Sequence, residues 1–105
     1  MSVFLAIDLG AGSGRVMAVR LDGETIEIGQ VHRFDSPAIE RDGGLFWDIH
    51  LIWKEIRVGL KRAAQLHGDT ICSIGVDSWG VDYAWFEAGG ALKQLPYCYR
   101  DTRTH

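Results

Sequence analysis

Eight residues near the start of the chain, Asp8 to Arg15 (DLGAGSGR), bring together an acid, three glycines, a hydroxyl and a guanidinium. Glycines have no Cβ, so backbone N–H groups beside them can approach an oxyanion closely and adopt positive φ. Ser13 adds a hydroxyl, and Arg15 adds a permanent charge on a planar donor fork that suits phosphate oxygens. Asp8 can hold Mg²⁺ through water, because Mg²⁺ takes few carboxylates and keeps several waters. The spacing fits a site for nucleotide phosphate and metal. It fits neither common phosphate loop. No lysine follows the glycines as in a Walker sequence. Gly10, Gly12 and Gly14 stand two apart and precede an apolar run, where a dinucleotide loop would open a helix. A glycine-rich hairpin turn, with Asp8 capping a strand, is the plain alternative.

A second group is Asp77, Trp79, Gly80 and Asp82 in the run DSWGVD. An indole face packs on the C–H face of a sugar ring, and carboxylates accept hydrogen bonds from hydroxyls. Trp79 as core, with both acids capping a turn, explains the same residues. Trp47, Trp53 and Trp85 read as core, since buried aromatics dominate small cores. His32, His50 and His67 show neither metal spacing nor a paired nucleophile. Cys72 and Cys98 match no zinc spacing and read as two reduced thiols.

These groups need elements to hold them. Residues 3–9 are an apolar run that suits a buried strand. Residues 15–21 form a second strand, and Asp22-Gly23 is a strong hairpin signal. Residues 24–34 alternate, with Ile26, Ile28 and Val31 on a third strand and a bulge expected at Gly29. The three make an antiparallel meander. Residues 35–47, with Pro37, Gly43 and Gly44, read as a loop. Asp48 is an N-cap for a helix whose apolar face carries Ile49, Ile52, Trp53, Ile56, Leu60, Ala63 and Ala64. Gly68 ends it. Gly59, unfavourable inside a helix, implies close contact with a sheet. Residues 70–76 are a strand reached by a crossover, so parallel pairing is expected. VDYAWFE and the turn AGGA add a further hairpin. The order β-β-β-α-β is mixed α/β and not a Rossmann repeat.

The chain has 105 residues, 47% hydrophobic and 24% charged, with a formal net charge of −3. That is enough for one small folded domain. Its lysines and arginines form no basic stripe, which argues against nucleic acid. No apolar run reaches membrane-spanning length, and MSVFLAIDLG lacks a basic leader, so a cytoplasmic protein is expected. The last residues, YCYRDTRTH, carry no cap or polar tail and read as an interrupted chain. A sheet cut short would expose apolar edges and self-associate.

Loop and element order together resemble the first domain of the actin-like ATPases, whose fold is ribonuclease H-like. In that group a D-x-G-x-[ST] hairpin holds the phosphates of ATP. Within it the sequence is most similar to the FGGY carbohydrate kinases. AIDLGAGSGRVMAVR resembles their opening strand and loop, VHRFDS and LFWDIHLIWKEIRVGL their third strand and first helix, SIGVDSWGVDYAWF their sugar-side segment, and YRDTRT the motif after it. The loop is shared across the superfamily; DSWGVD with YRDTRT is narrower.

The resemblance implies that residues 1–105 are the N-terminal part of the first kinase domain, the rest of that domain and a second domain being absent. It implies ATP phosphate binding by Ala11, Gly12, Ser13, Gly14 and Arg15, Mg²⁺ at Asp8, and a sugar against Gly80 with Trp79 and Asp82 beside it. Gly12 departs from the serine expected there, which keeps the N–H and removes a hydroxyl. The family's catalytic base, an aspartate, lies later in the chain, so no residue here is expected to be catalytic and the segment alone to be inactive. For the whole protein the implied reaction is ATP-dependent phosphorylation of L-rhamnulose. Another kinase of the family acting on a different ketose or polyol is a second reading. A non-enzymatic sugar-responsive regulator or an actin-like assembly protein on the same fold is a third.

Overall fold

The computed structural model describes residues 1–103. It is a small mixed α/β domain built on a four-stranded sheet and one long helix. The elements are β1 (Ser2–Leu9), β2 (Ser13–Asp22), β3 (Thr25–Asp35), β4 (Ile39–Arg41), β5 (Gly44–Phe46), α1 (Ile49–His67) and β6 (Ile71–Asp77). The main sheet has the order β3-β2-β1-β6, and β4 with β5 form a separate hairpin. β1, β2 and β3 make the expected meander, and β6 lies parallel to β1. Asp22 pairs with Thr25 across a turn in which Gly23 takes φ +62°, a conformation glycine adopts without penalty.

α1 forms as its caps dictate. The Asp48 side chain accepts from the Leu51 N–H at 3.1 Å, and Gly68, at φ +51°, ends the helix by donating to the Ala64 carbonyl. Its buried line is Ile52, Ile56, Gly59 and Ala63, spaced four and three apart. That line covers Val3, Leu5, Ile7, Val16 and Ala18 of β1 and β2. Gly59 meets the sheet so closely that a Cβ there would lie 2.4 Å from Val16 Cγ2.

Five expectations are corrected. Trp53 is 57% exposed, because it follows Ile52 and so points about 100° round the helix from the buried line. Ala64 lies off that line for the same reason. Trp85 is 61% exposed, since no element covers the stretch that carries it. The bulge in β3 falls at Val31 instead of Gly29: Val16 pairs with His32, Met17 with Gln30, and Gly29 sits in register opposite Ala18. The extra residue reverses the facing of everything before it, so Ile26 and Ile28 turn away from the helix side that His32 and Phe34 share. Residues 35–47 are not plain loop. Asp42 and Gly43, both at positive φ, form the tight turn of the β4–β5 hairpin.

The hairpin expected after β6 is reduced to a single bridge, Phe86 to Leu92, around a turn with Gly90 at φ +94°. β6 is an edge strand whose residues after Ile71 are all exposed, Ile74 and Val76 among them. No proline, lysine or charge interrupts ICSIGV, so this edge can template another strand. Ile74→Lys is expected to lower self-association of the chain, checked by sedimentation velocity across a concentration series; unchanged sedimentation would exclude this edge as the contact. No helix among the described residues is long and apolar enough to cross a membrane.

Candidate functional site

The glycine loop, residues 10–12, lies at the carboxyl end of β1, beside the carboxyl end of the parallel strand β6. In open α/β sheets that is where ligands gather. The antiparallel register sets Asp8 directly opposite Arg15, and their side chains form an ion pair at 3.3 Å. Arg15 also reaches the Ser13 hydroxyl, at 3.2 Å. Across the parallel pairing, Asp8 is the register neighbour of Asp77. Asp8, Arg15, Ser13 and Asp77 are thus brought to one end of the sheet.

The loop's carbonyls are held by three distant segments. Gly10 O accepts from the Trp79 indole N–H at 3.0 Å, Ala11 O from Arg100 Nη2 at 3.0 Å, and Gly12 O from the Ser36 N–H at 2.9 Å. Gly10 closes the turn by donating to Ser13 O at 2.8 Å. The N–H groups of Ala11 and Gly12 have no acceptor among the described residues, and both residues are exposed. Carbonyls drawn inward and donors left in solvent give the loop the polarity an anion needs.

The expected left-handed glycines are absent here: positive φ occurs at Gly23, Gly43, Gly68 and Gly90, and at none of Gly10, Gly12 or Gly14. The neighbouring segments, through the three carbonyls, hold the loop in place of backbone handedness. Gly14 has a packing reason as well. It lies in β2 opposite Phe34, whose ring would be 2.4 Å from an added Cβ. Nothing lies within 4 Å of a Cβ placed on Gly12.

The sugar-side residues sit next to this loop, but two of them are engaged. Trp79 stacks on Trp47, with centroids 4.1 Å apart and planes at 15°, so one indole face and its N–H are committed. Asp82 Oδ2 accepts from the Trp47 indole N–H at 2.6 Å. Trp47 itself is 1% exposed. Both contacts tie the DSWGVD run to the core. Gly80 is exposed, with open space where a side chain would stand.

For Mg²⁺, the donor set at Asp8 and Asp77 is two carboxylates, the kind of partial set that Mg²⁺ completes with waters and phosphate oxygens. Among the described residues no group of three or more metal-ligating side chains is gathered. His32 is structural in its contacts, bridging β3 to α1 through Glu55 at 2.6 Å, with Arg62 at its other nitrogen. Cys98 is buried, Cys72 exposed, and both are free.

Arg100 is the residue that spacing did not reveal. It belongs to a strap, residues 96–103, fixed to β5 by Cys98 N–H to Leu45 O and to the residue after β5 by Trp47 N–H to Pro96 O. Asp101 locks the strap. Its carboxylate accepts from the Leu45 N–H at 2.6 Å and the Arg103 N–H at 2.8 Å. The Leu45 N–H first, then the Arg103 N–H and guanidinium, hold this carboxyl below the usual aspartate range. A depressed folded pKa makes the stabilisation complete above the ordinary carboxylate value of about 3.9, and lost as pH falls through the folded value. The Leu45 amide proton is therefore expected to titrate in the acid range with a midpoint below that of a free aspartate, followed by NMR. In Asp101→Asn that titration should vanish and the strap loosen at neutral pH.

No family model matches the chain.

Proposed function

We propose that this chain opens the first domain of a carbohydrate kinase of the FGGY family, on a ribonuclease H-like architecture, and that the whole protein is a cytoplasmic rhamnulokinase. It transfers the γ-phosphoryl group of ATP to L-rhamnulose, giving L-rhamnulose 1-phosphate and ADP. One observation carries the reading. The glycine loop and the DSWGVD run, distant in sequence and each resembling a different segment of the family, are joined by the Trp79 N–H on the Gly10 carbonyl. A loop with outward N–H groups beside a run that borders open space at Gly80 suits a reaction between a polyphosphate and a hydroxyl.

The roles follow from the chemistry of these residues. The free N–H groups of Ala11 and Gly12 would donate to phosphate oxygens, and Ser13 would add its hydroxyl. Arg15 supplies charge at the same end of the sheet, while Asp8 aligns that guanidinium and faces the metal side. Mg²⁺, when bound, neutralises phosphate charge. The sugar hydroxyl oxygen bonds to the γ-phosphorus, the bond to the β,γ-bridging oxygen breaks, and the hydroxyl proton passes to a base later in the chain. Most of the rate in such transfers comes from positioning and charge stabilisation. Closure of a second domain over the cleft would strengthen these interactions by removing water.

The deciding measurement is ADP release by the full-length protein with Mg-ATP and a panel of L-rhamnulose, L-fuculose, L-ribulose, D-xylulose and glycerol. Preference for L-rhamnulose is expected. Preference for another member would keep the kinase and move the substrate. Absence of turnover with all five would favour the regulator or assembly reading.

A further inference from the structure

We infer that Arg100 is a second phosphate-binding cation of the glycine loop, delivered to it by the strap. The inference rests on the reading of that loop as a polyphosphate site. Arg15, the loop's own cation, is already committed to Asp8 and Ser13 on one side. Arg100 makes no ion pair among the described residues. Its guanidinium holds the Ala11 carbonyl through Nη2, at 3.0 Å, and lies 5.8 Å from the Tyr99 ring centroid. A guanidinium carries five N–H donors, so a single carbonyl leaves most of them available.

The position matches the need. Gly12, whose N–H has no acceptor among the described residues, lines an open cleft that Arg100 also lines, together with Pro37, Ala38, Glu40 and Leu45. Arg100 lines the adjoining cleft as well, beside Asp42 and Asp101. A guanidinium on the same cleft as Gly12 gives an anion there a charged donor, and charge-assisted hydrogen bonds are about twice as strong as neutral ones. Asp101, the nearest acid in sequence, is occupied by Leu45 and Arg103, so it fixes the strap without neutralising its neighbour. Glu40, on the cleft wall, is the acid that opposes an anion there.

The test uses the full-length protein, with sodium tripolyphosphate, Mg-ATP and adenosine as probes. Amide shifts locate binding and titration calorimetry measures it. Tripolyphosphate and Mg-ATP are expected to shift the Ala11 and Gly12 amides. Arg100→Gln keeps a donor for the Ala11 carbonyl and removes the charge. It is expected to weaken both probes about fivefold, the upper range for one exposed charge pair, and to flatten the dependence on salt. Arg100→Lys should retain most of the affinity. Adenosine should be unaffected in every variant. An unchanged Leu45 amide shift confirms that the strap stays docked. Arg100→Gln binding as tightly as the parent chain, with the same salt dependence, would overturn the role of Arg100 and leave the loop reading intact. Absence of any loop shift in the parent chain would remove the loop reading itself, and the role of Arg100 with it.

Discussion

Trp47→Ala is expected to destabilise the domain by about 3–5 kcal/mol, the range for truncating a buried large aromatic. The residue is the largest fully buried side chain. It does three jobs at once: it fills the core between α1 and the strap, it stacks on Trp79, and its N–H satisfies Asp82. Truncation leaves a cavity and an acid without its donor. Small domains hold only about 5–15 kcal/mol in total, so the variant should sit near the edge of folding. Urea unfolding checks this through a lowered midpoint at unchanged slope. Trp47→Phe separates the contributions, since it keeps an aromatic face and loses the donor; a cost of about 1–3 kcal/mol is expected for leaving a partly buried acid unpaired. A loss under 1 kcal/mol for the alanine variant would mean that residues 79–101 do not pack on this indole.

Gly59→Val should follow it in magnitude. A first methyl at residue 59 already lies 2.4 Å from Val16 Cγ2, 3.0 Å from its Cβ and 3.3 Å from His32 Cβ. Val16 is fully buried in the central pair of strands and cannot move aside. Overpacking of this kind costs about 1–3 kcal/mol, against a few tenths recovered from better helix propensity. The net loss is read in the same urea experiment. Adding Val16→Ala to the variant should return part of it, because the clash is with that side chain; additive losses would place the strain elsewhere.

What the sequence made legible, and what it did not, divides by range. α1 was readable because its signals are local: an acid at the start, a glycine at the end, an apolar line between. A parallel pairing of β6 follows from element order, while the choice of β1 as its partner does not. The glycine at 59 announced its close contact. Trp53 faces outward because apolar residues on adjacent helix positions cannot both face one sheet, and Ile52 holds the buried position. The β4–β5 hairpin is not legible although Asp42-Gly43 is the same signal as Asp22-Gly23, because strands of three residues show no alternation. The bulge position depends on pairing between strands, and Val31 carries no mark of it.

The candidate site shows the same division. Asp8, Ser13 and Arg15 are close in sequence, and the structure keeps them together. The hold on the loop comes from Ser36, Trp79 and Arg100, whose partners are backbone carbonyls. Any residue has a carbonyl, so no residue type at the loop could point to them. Within YRDTRT, Arg100 holds the Ala11 carbonyl and Asp101 fixes the strap to Leu45.

The stack of Trp47 on Trp79 has an optical consequence. Two indoles about 4 Å apart and nearly parallel share their electronic transitions, so their near-ultraviolet circular dichroism is that of a coupled pair. One member is hydrogen-bonded to the Gly10 carbonyl, the other is sealed in the core, and Trp53 and Trp85 stand in solvent. The molecule therefore contains its own label-free reporter on the loop. Whatever occupies the loop and shifts Gly10 will register as a change in the exciton band, distinct from the red-shifted emission of the two solvent-facing indoles.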